Sequence, residues 1–223
     1  MDNCIIYGGT SPIALQFIKH NINKMNIFVF VRNKDRFIEQ LSDYTPLKNN
    51  IDIFEGNILS VEDINNFFNY LSTKIIKIDI FINLISIMSV NRFEEDLLAT
   101  RKIIDTNVYG SSYILQKSIP FFGEGSSVIY ISSHTSDIAP VNGVLYAASK
   151  SYMNTLLKGI YNESIYYQKP IRILNILAGP IDTAFYNNSL SANIKKIQVI
   201  EIVDSIISFL NNSITFCEIK LLP

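Results

Sequence analysis

The sequence predicts an α/β fold: a single-domain, Rossmann-like, doubly wound sheet of about seven mainly parallel strands with helices on both faces. Two observations predict this class. Short apolar runs alternate along the chain with segments of helical periodicity, which is the order typical of α/β folds. The strand-like runs are apolar almost throughout, as in residues 26–31, and such runs are typical of parallel strands buried on both faces.

Length and composition limit the domain organisation and the class of partner. The 223 residues suffice for one core but are short for two, so we expect one domain over residues 1–223. With 48% hydrophobic and 17% charged residues, the composition is that of a globular protein. The formal net charge of -1, without a large block of one sign, argues against a nucleic-acid partner.

Targeting segments and metal sites are not expected. The sequence has no uninterrupted run of about 18 apolar residues, which argues against a membrane span. The N-terminus lacks the charged region and cleavage site of a secretory signal. Cys4 and Cys217 lie in strand-like runs and are expected to be buried thiols, which suits a cytoplasmic location. With two histidines and two unclustered cysteines, no metal site is expected.

Strands and helices alternate along the whole chain. Strand-like runs occupy residues 4–7, 26–31, 51–55, 79–86, 127–133, 171–177 and 215–222. Helical patterns occupy residues 13–20, 34–41, 63–71, 94–121, a segment opened by Tyr146, and 199–210. The polar residues 184–197 predict a mobile lid.

The first strand leads through a glycine turn into a helix. Gly8 and Gly9 follow the first apolar run, and Pro12 stands at the start of the helix, where proline is sterically tolerated. A strand, a glycine turn and a helix form the opening of a dinucleotide-binding unit, because the helix N-terminus presents backbone N–H groups to a pyrophosphate.

The ends of the second and third strands supply candidate adenosine contacts. Arg32 follows the second strand with no acid beside it. An acid at this position would accept the ribose 2′-hydroxyl, whereas an arginine accommodates a 2′-phosphate, so the sequence favours NADP(H) over NAD(H). Arg32 and Arg36 are explained equally well as solvated loop charges. Asn57, after the third strand, can reach the adenine edge.

Three residues form a candidate proton-transfer group. Ser133 ends a buried strand, and Tyr146 and Lys150 stand four residues apart on one helix face. A nearby ammonium favours the phenolate form of a tyrosine, and a serine hydroxyl can hold a carbonyl oxygen while the tyrosine gives or takes the proton. Taken alone, the Tyr–Lys pair is better explained as a chance pair on an amphipathic helix. It gains weight only from the surrounding pattern.

Over essentially its whole length the sequence resembles the short-chain dehydrogenase/reductase family. The family's glycine turn is similar to Tyr7-Gly8-Gly9-Thr10-Ser11-Pro12-Ile13-Ala14, with Pro12 and Ala14 in place of two glycines. Its Asn-Asn-Ala-Gly segment falls on Asn83-Leu84-Ile85-Ser86, its tetrad asparagine on Asn107 in Asn107-Val108-Tyr109-Gly110, and its Pro-Gly turn on Ala178-Gly179.

The resemblance implies roles for individual residues. The catalytic set would be Asn107, Ser133, Tyr146 and Lys150, with Lys150 also binding the nicotinamide ribose and Asn107 holding a water in the proton relay. The residues expected to bind the cofactor are Gly8, Thr10, Ser11, Pro12, Ile13, Arg32, Asn57, Ile58, Asn83, Tyr146, Lys150, Gly179, Ile181 and Thr183.

The activity that the resemblance implies is NADP-dependent interconversion of a ketone and a secondary alcohol, as by a carbonyl reductase of a small polar or sugar-like molecule. Specificity is expected in residues 87–93, 134–145 and 184–194. Two alternatives stay open: a non-catalytic NADP-binding sensor or assembly subunit, and a nucleotide-sugar epimerase or dehydratase, which shares the Tyr-x-x-x-Lys pair but adds a substrate domain. The family also implies a homodimer or homotetramer, formed through the helices that carry Asn107 and Tyr146.

Overall fold

The computed structural model of the protein describes residues 1–46, 50–95, 97–187 and 194–223. Within these residues seven parallel strands form one sheet: β1 (Asp2–Tyr7), β2 (Met25–Val31), β3 (Ile51–Glu55), β4 (Ile78–Asn83), β5 (Phe122–Ser133), β6 (Arg172–Ala178) and β7 (Phe216–Leu221). The strands lie in the order β3-β2-β1-β4-β5-β6-β7. The predicted parallel, Rossmann-like sheet is therefore confirmed.

Helices connect the strands. They are α1 (Pro12–Asn21), α2 (Lys34–Ser42), α3 (Val61–Lys74), α4 (Leu97–Ile103), α5 (Ser111–Ser118), α6 (Thr135–Ile138), α7 (Val144–Tyr166), α8 (Ala184–Asn187) and α9 (Val199–Leu210). A π-helical segment, Ile104–Gly110, joins α4 to α5, and a 3-10 turn, Ile119–Phe121, follows α5. None of the helices within the described residues has the length and apolar character needed to cross a membrane.

The alternation of side chains along each strand divides the core between the two faces of the sheet. Along β1, Cys4 and Ile6 point into one cluster with residues of α1, α2 and α9. Ile5 and Tyr7 point into the other cluster, with residues of α3, α5 and α7. Both faces are thus covered by helices, which explains why the strands read as continuous apolar runs.

Several predicted boundaries differ from the structure, and two short helices were not predicted. The fourth strand ends at Asn83 rather than at residue 86, because the Asn83 side chain turns back to accept a hydrogen bond from Ile85 N at 3.0 Å. The helix predicted over 94–121 begins at Leu97 and changes to π-helical geometry at Ile104–Gly110. The short helices α6 and α8 were not predicted, since four residues carry too little periodicity to detect.

The predicted lid over 184–197 falls partly within the described residues. Its first residues form α8, and its last residue, Ile197, forms a parallel β-bridge with Ile181. Residues 188–193 lie outside the described part of the chain.

The strand order places the chain reversal between β1 and β4. From β1 the chain winds outward through β2 and β3, and it then returns to the other side of β1 with β4. In open α/β sheets, ligands bind at the carboxyl ends of the strands beside such a reversal. The loops after β1 and β4 are therefore the expected position of the site.

Gly9 is required by close packing beneath the first turn. A Cβ at this position would lie 2.2 Å from Val29 Cγ1 and 2.9 Å from Val31 Cγ1. We expect Gly9→Ala to lower the free energy of unfolding by about 1–3 kcal/mol, the usual cost of overpacking a core. Urea denaturation measures this change.

The matched control for Gly9→Ala is Gly159→Ala within α7, where an added Cβ meets no atom within 4 Å. An alanine here should raise stability by roughly 0.5–1 kcal/mol, because it restricts the unfolded chain. Equal effects of the two substitutions would contradict the packing explanation.

Candidate active site

The glycine turn connects β1 to α1. Gly8 adopts a φ of 86°, which favours glycine, and a Cβ there would lie 3.1 Å from the carbonyl carbon of Leu84. The turn thus packs directly against the loop that follows β4. Ser11 is the N-cap of α1, and its hydroxyl accepts from Ile13 N at 3.3 Å.

The two residues that replace family glycines have separate structural explanations. Pro12 occupies the first turn of α1, where a backbone N–H has no partner within the helix. Ala14 is fully buried within the core cluster that includes Cys4 and Ile18. The Ala14 side chain therefore fills the space beneath the helix rather than the space in front of the turn.

The loop after β4 lies beside this turn. Asn83, the last residue of β4, is buried, and the backbone N–H of Leu84 donates to Tyr7 O at 2.9 Å. Among the described residues, the Ser86 hydroxyl is buried with no hydrogen-bond partner. An unpaired buried hydroxyl costs free energy, and it supplies an open hydrogen-bonding position at the end of β4.

Arg32 follows β2 directly and is exposed. The next residue, Asn33, caps α2 by accepting from Arg36 N at 2.7 Å. The Glu55 carboxylate, at the end of β3, accepts from Lys34 N at 2.7 Å. An acidic side chain, Glu55, therefore does lie beside residues 32–36, at the carboxyl ends of β2 and β3. Glu55 was not predicted at this position, because only the β2–β3 pairing brings it beside residues 32–36.

Asn57 lies in the turn after β3 and is exposed, whereas Ile58 is buried. The Asn57 side-chain oxygen accepts from Leu59 N at 3.0 Å, and the Asn57 N–H donates to the Asp63 carboxylate at 2.8 Å. A carbonyl oxygen has two lone pairs, so Asn57 Oδ1 keeps one acceptor position.

Ser133 is the last residue of β5 and is buried. Its Oγ accepts from Thr135 N at 3.2 Å and from Thr135 Oγ1 at 2.9 Å. Because both acceptor positions are engaged, the Ser133 hydroxyl proton is left for donation to another oxygen.

Lys150 lies on α7 and packs against β5. Its ammonium donates to the carbonyl of Ile131 at 2.8 Å and lies 3.4 Å from the hydroxyl of Tyr130. The same nitrogen lies 4.8 Å from the centroid of the Tyr130 ring. Burial lowers the pKa of Lys150 from its ordinary value of 10.5 to about 7. Burial also raises the pKa of Tyr130, which keeps that phenol neutral.

Tyr146 lies one helical turn before Lys150. Its ring centroid is 5.7 Å from the Lys150 ammonium and 6.4 Å from the centroid of the Phe185 ring on α8. The residue is only 4% exposed, and α8 contributes to that cover. The fold therefore places Tyr146 and Lys150 near each other on α7, with Lys150 bonded to the strand that ends in Ser133.

Asn107 lies in the π-helical segment and is fully buried. Its Nδ2 donates to Ile87 O at 2.8 Å and to Ser149 Oγ at 3.1 Å, and its Oδ1 accepts from Ile87 N at 2.8 Å. In a regular α-helix Ser111 N–H would donate to the Asn107 carbonyl. It donates instead to the carbonyls of Thr106 and Val108.

The turn after β6 carries the remaining predicted positions. The N–H of Gly179 donates to Leu221 O at 2.7 Å, which ties this turn to β7. Thr183 N donates to the carbonyl of the buried Ile181 at 2.8 Å. Gly179, Ile181 and Thr183 thus form a compact turn at the carboxyl end of β6.

The fold brings the predicted positions to one edge of the sheet. The glycine turn, Arg32, Asn57, Asn83, Ser133 and Gly179 all stand at or just after the carboxyl ends of β1 to β6. Asn107 reaches the same region through its bond to Ser149, which lies beside Lys150 on α7. Within the described residues, no group of three or more His, Cys, Asp or Glu side chains is arranged to bind a metal ion.

Comparisons with known proteins agree with this geometry. A family model described as short chain dehydrogenase matches residues 2–193. A comparison of the sequence with curated proteins finds no match.

Solved structures share the fold at low sequence identity. A short chain dehydrogenase family protein from Francisella tularensis subsp. tularensis SCHU S4 is 18% identical, with a TM-score of 0.82 over 100% of this chain and 97% of that chain. A short chain dehydrogenase from Burkholderia cenocepacia J2315, solved in complex with NADP, is 19% identical, with a TM-score of 0.80 over 98% and 88% of the two chains. A short-chain dehydrogenase/reductase, glucose/ribitol dehydrogenase, from Brucella melitensis is 14% identical, with a TM-score of 0.87 over 99% and 95%.

The family model covers most of the chain, and the sheet order and helices are those of the family's solved structures. The protein therefore belongs to the short chain dehydrogenase family and is an NAD(P)-dependent oxidoreductase.

Proposed function

We propose that the protein is an NADP-dependent oxidoreductase that interconverts a ketone and a secondary alcohol, acting as a reductase of a small polar or sugar-like ketone. The observation that carries this proposal is the buried Lys150 ammonium beside Tyr146, against the strand that ends in Ser133. A phenol with a neighbouring ammonium suits proton exchange with an oxygen that changes charge during reaction.

The residues at the carboxyl edge fit a dinucleotide. The positive φ of Gly8 and the absence of a side chain there let the first turn pack closely against the loop after β4. The N-terminus of α1 carries positive dipole charge, which favours a phosphate anion. The unpartnered Ser86 hydroxyl adds a hydrogen-bonding group at the end of β4.

The preference for NADP(H) is supported by Arg32. Its exposed guanidinium follows β2, at the position where an arginine accommodates a 2′-phosphate. The Glu55 carboxylate, beside residues 32–36, is engaged with Lys34 N. That engagement reduces its availability to a ribose hydroxyl. The B. cenocepacia neighbour, solved with NADP, provides a parallel in a related protein.

Ser133 is proposed to orient the substrate. NADPH, when bound, supplies the hydride that reduces the carbonyl carbon. The free proton of the Ser133 hydroxyl donates to the carbonyl oxygen, since Thr135 occupies the acceptor positions of that hydroxyl. This donor stabilises negative charge as it develops on the oxygen.

Tyr146 is proposed to donate a proton to the same oxygen, and Lys150 to stabilise the phenolate that results. Lys150 is buried with a carbonyl and two aromatic rings as its neighbours. Its pKa of about 7 reflects desolvation without a neutralising anion. A phenolate on Tyr146 supplies that anion, so proton donation by Tyr146 strengthens the binding of a proton at Lys150.

Asn107 is proposed to hold a water for the return of the proton through its backbone carbonyl. Its side-chain amide is already engaged by Ile87 and Ser149. The carbonyl of Asn107, in contrast, lacks the Ser111 donor that a regular helix would supply. We therefore propose this backbone carbonyl, rather than the engaged side chain, as the acceptor for the water.

Substrate contacts are proposed in residues 87–93, 134–145 and the described part of 184–194. The first two loops are joined by a hydrogen bond from Asn91 N to Asn142 O at 3.1 Å, beside a small cavity lined by residues of 89–93, α4 and 142–145. Ala139 and Asn142 adopt positive φ values of 44° and 60°. Such strained residues cluster at active sites.

The oligomeric state and the cellular compartment are proposed from the family and from the sequence. Large apolar side chains are exposed on the helices that carry Asn107 and Tyr146: Leu97, Leu98, Tyr109 and Tyr152. These surfaces suit a homodimer or homotetramer.

Cys4 and Cys217 are free thiols, which suits a cytoplasmic protein. We propose that residues 1–223 act as one catalytic domain.

The role of Tyr146 is tested by Tyr146→Phe. Loss of the phenolic proton should lower kcat for ketone reduction by about 100-fold or more, the usual contribution of a general acid. Calorimetry should show that the variant still binds NADPH, because the other residues expected to bind the cofactor are unchanged. The matched control is Tyr166→Phe, an exposed tyrosine at the end of the same helix. Full activity in Tyr146→Phe would refute the mechanism, and NADPH binding without turnover of any ketone by the wild type would favour the sensor alternative.

The cofactor preference is tested by titrating the protein with NADPH and with NADH. We expect tighter binding of NADPH, and Arg32→Ala should reduce this preference by about tenfold, because a charge-assisted bond to a phosphate is lost. Arg101→Ala, an exposed arginine paired with Asp105 on α4, is the control. Equal loss of NADH and NADPH affinity in Arg32→Ala would remove the argument for a 2′-phosphate contact.

The pKa of Lys150 predicts how stability depends on pH. The unfolded chain holds the Lys150 proton up to its ordinary pKa of 10.5, whereas the folded chain loses it near 7. Between these values the unfolded state binds more protons, so the wild type should gain stability as pH rises, by up to about 1.4 kcal/mol per pH unit relative to Lys150→Met. Below pH 7 both states are protonated and the difference should be constant.

Urea denaturation of both proteins from pH 6 to 9.5 measures this difference. Lys158→Met, an exposed lysine two turns further along α7, should leave the wild-type pH dependence unchanged. Parallel stability curves for the wild type and Lys150→Met would show that burial does not shift the Lys150 pKa.

A further inference from the structure

A buried carboxamide on α7 joins the elements that carry the proposed catalytic residues. Asn154 is 8% exposed. Its Oδ1 accepts from Ser132 Oγ at 2.6 Å and from Asn175 Nδ2 at 3.0 Å, and its Nδ2 donates to Ser136 Oγ at 2.9 Å. One side chain therefore bonds α7 to β5, to β6 and to the start of α6.

The bond to Ser136 continues to the backbone of Ser133. The Ser136 hydroxyl donates to the Ser133 carbonyl at 2.7 Å. A hydroxyl has a single proton, and the N–H of Asn154 occupies an acceptor position on it. Because Asn154 Nδ2 donates to the Ser136 hydroxyl, that hydroxyl uses its own proton for the Ser133 carbonyl. The donor end of Asn154 therefore determines the donor and the acceptor of each bond that leads to Ser133.

Asn154 also lies on the helix face that carries the other proposed catalytic residues. It stands four residues after Lys150 and eight after Tyr146, which places all three along one face of α7. Lys150 bonds to Ile131 O and Asn154 bonds to Ser132 Oγ, so α7 is attached to two consecutive residues of β5 immediately before Ser133.

We propose that Asn154 is a positioning residue that fixes the Ser133 hydroxyl relative to Tyr146 and Lys150. It acts through the 133–136 turn and through α7, not on the reacting atoms. Its effect on catalysis rests on the proposed reductase function, whereas its effect on the turn does not. A carboxamide is required because the contacts use both its acceptor and its donor end.

The most specific test of this role is the variant Asn154→Asp. It keeps the size of the side chain and the acceptor for Ser132 and Asn175, but it removes the donor to Ser136. The Ser136 proton is then drawn to the carboxylate and away from the Ser133 carbonyl. Asn154→Ala removes all three bonds without adding a charge, and it serves if the aspartate variant does not fold.

The matched control is Asn162→Asp, which makes the same change at an exposed position of the same helix. Ser136→Ala breaks the same chain of bonds from its other end. If both residues act through one chain, the effects of Asn154→Ala and Ser136→Ala on kcat should be markedly less than additive in the double variant.

Three measurements are made on each folded variant. Amide hydrogen exchange of residues 133–139 should be about tenfold faster or more in Asn154→Asp, because a buried bond is lost. With the most reactive ketone of a panel, kcat should fall by about 10- to 100-fold, as expected when reacting groups are misplaced. The NADPH dissociation constant should change less than about threefold. Asn162→Asp should match the wild type in all three measurements.

Unchanged exchange in residues 133–139 of Asn154→Asp would overturn the anchoring role, whether or not the wild type reduces ketones. Faster exchange with unchanged kcat would overturn the positioning role and leave Asn154 as a stabilising residue only. Faster exchange in a protein whose wild type reduces no ketone would keep the anchor and remove the proposed reductase function instead.

Discussion

The buried ammonium of Lys150 is the interaction on which the site depends. A charge removed from water is costly unless it is paired. Within the described residues, Lys150 is held by the Ile131 carbonyl and by the rings of Tyr130 and Tyr146, and by no carboxylate. The pKa of Lys150 is lowered because burial disfavours its charged form. The arrangement leaves a positive charge that only a developing anion can neutralise, which is what proton donation by Tyr146 creates.

The Lys150 position requires that α7 lie against β5, and several contacts keep it there. Apolar residues of α7, among them Met153 and Leu157, pack into the same core cluster as Val128 and Tyr130 of β5. Polar bonds then determine the register of helix against strand: Lys150 to Ile131 and Asn154 to Ser132. Non-directional apolar packing brings the helix to the sheet, and the directional hydrogen bonds select one arrangement of the proton-transfer group.

The substitutions in the glycine turn have modest structural consequences. Pro12 occupies a position where the missing N–H costs no helical bond, and Ala14 contributes to the core. The strict requirement for glycine falls instead on Gly8, through its positive φ, and on Gly9, through its contact with Val29 and Val31. Glycine is therefore present at the two positions of this turn where the backbone and the packing require it.

Most of the fold could be predicted from the sequence, because its signals are local. Continuous apolar runs and helical periodicity identified all seven strands and most of the helices. The boundaries that were wrong depend on single hydrogen bonds, as at Asn83, where the side chain ends the strand. The π-helical segment around Asn107 has no local signature, since it depends on which carbonyl accepts from Ser111.

The same distinction applies to the site. The sequence by itself determined the chemical groups: a serine at a strand end, a tyrosine and a lysine on one helix face, and a glycine turn before a helix. The tertiary structure alone decided that Lys150 is desolvated, that Glu55 stands beside residues 32–36, and that Asn154 joins α7 to β5 and β6. Periodicity reports which face of an element is buried, but only the packed sheet decides which distant residue lies opposite that face.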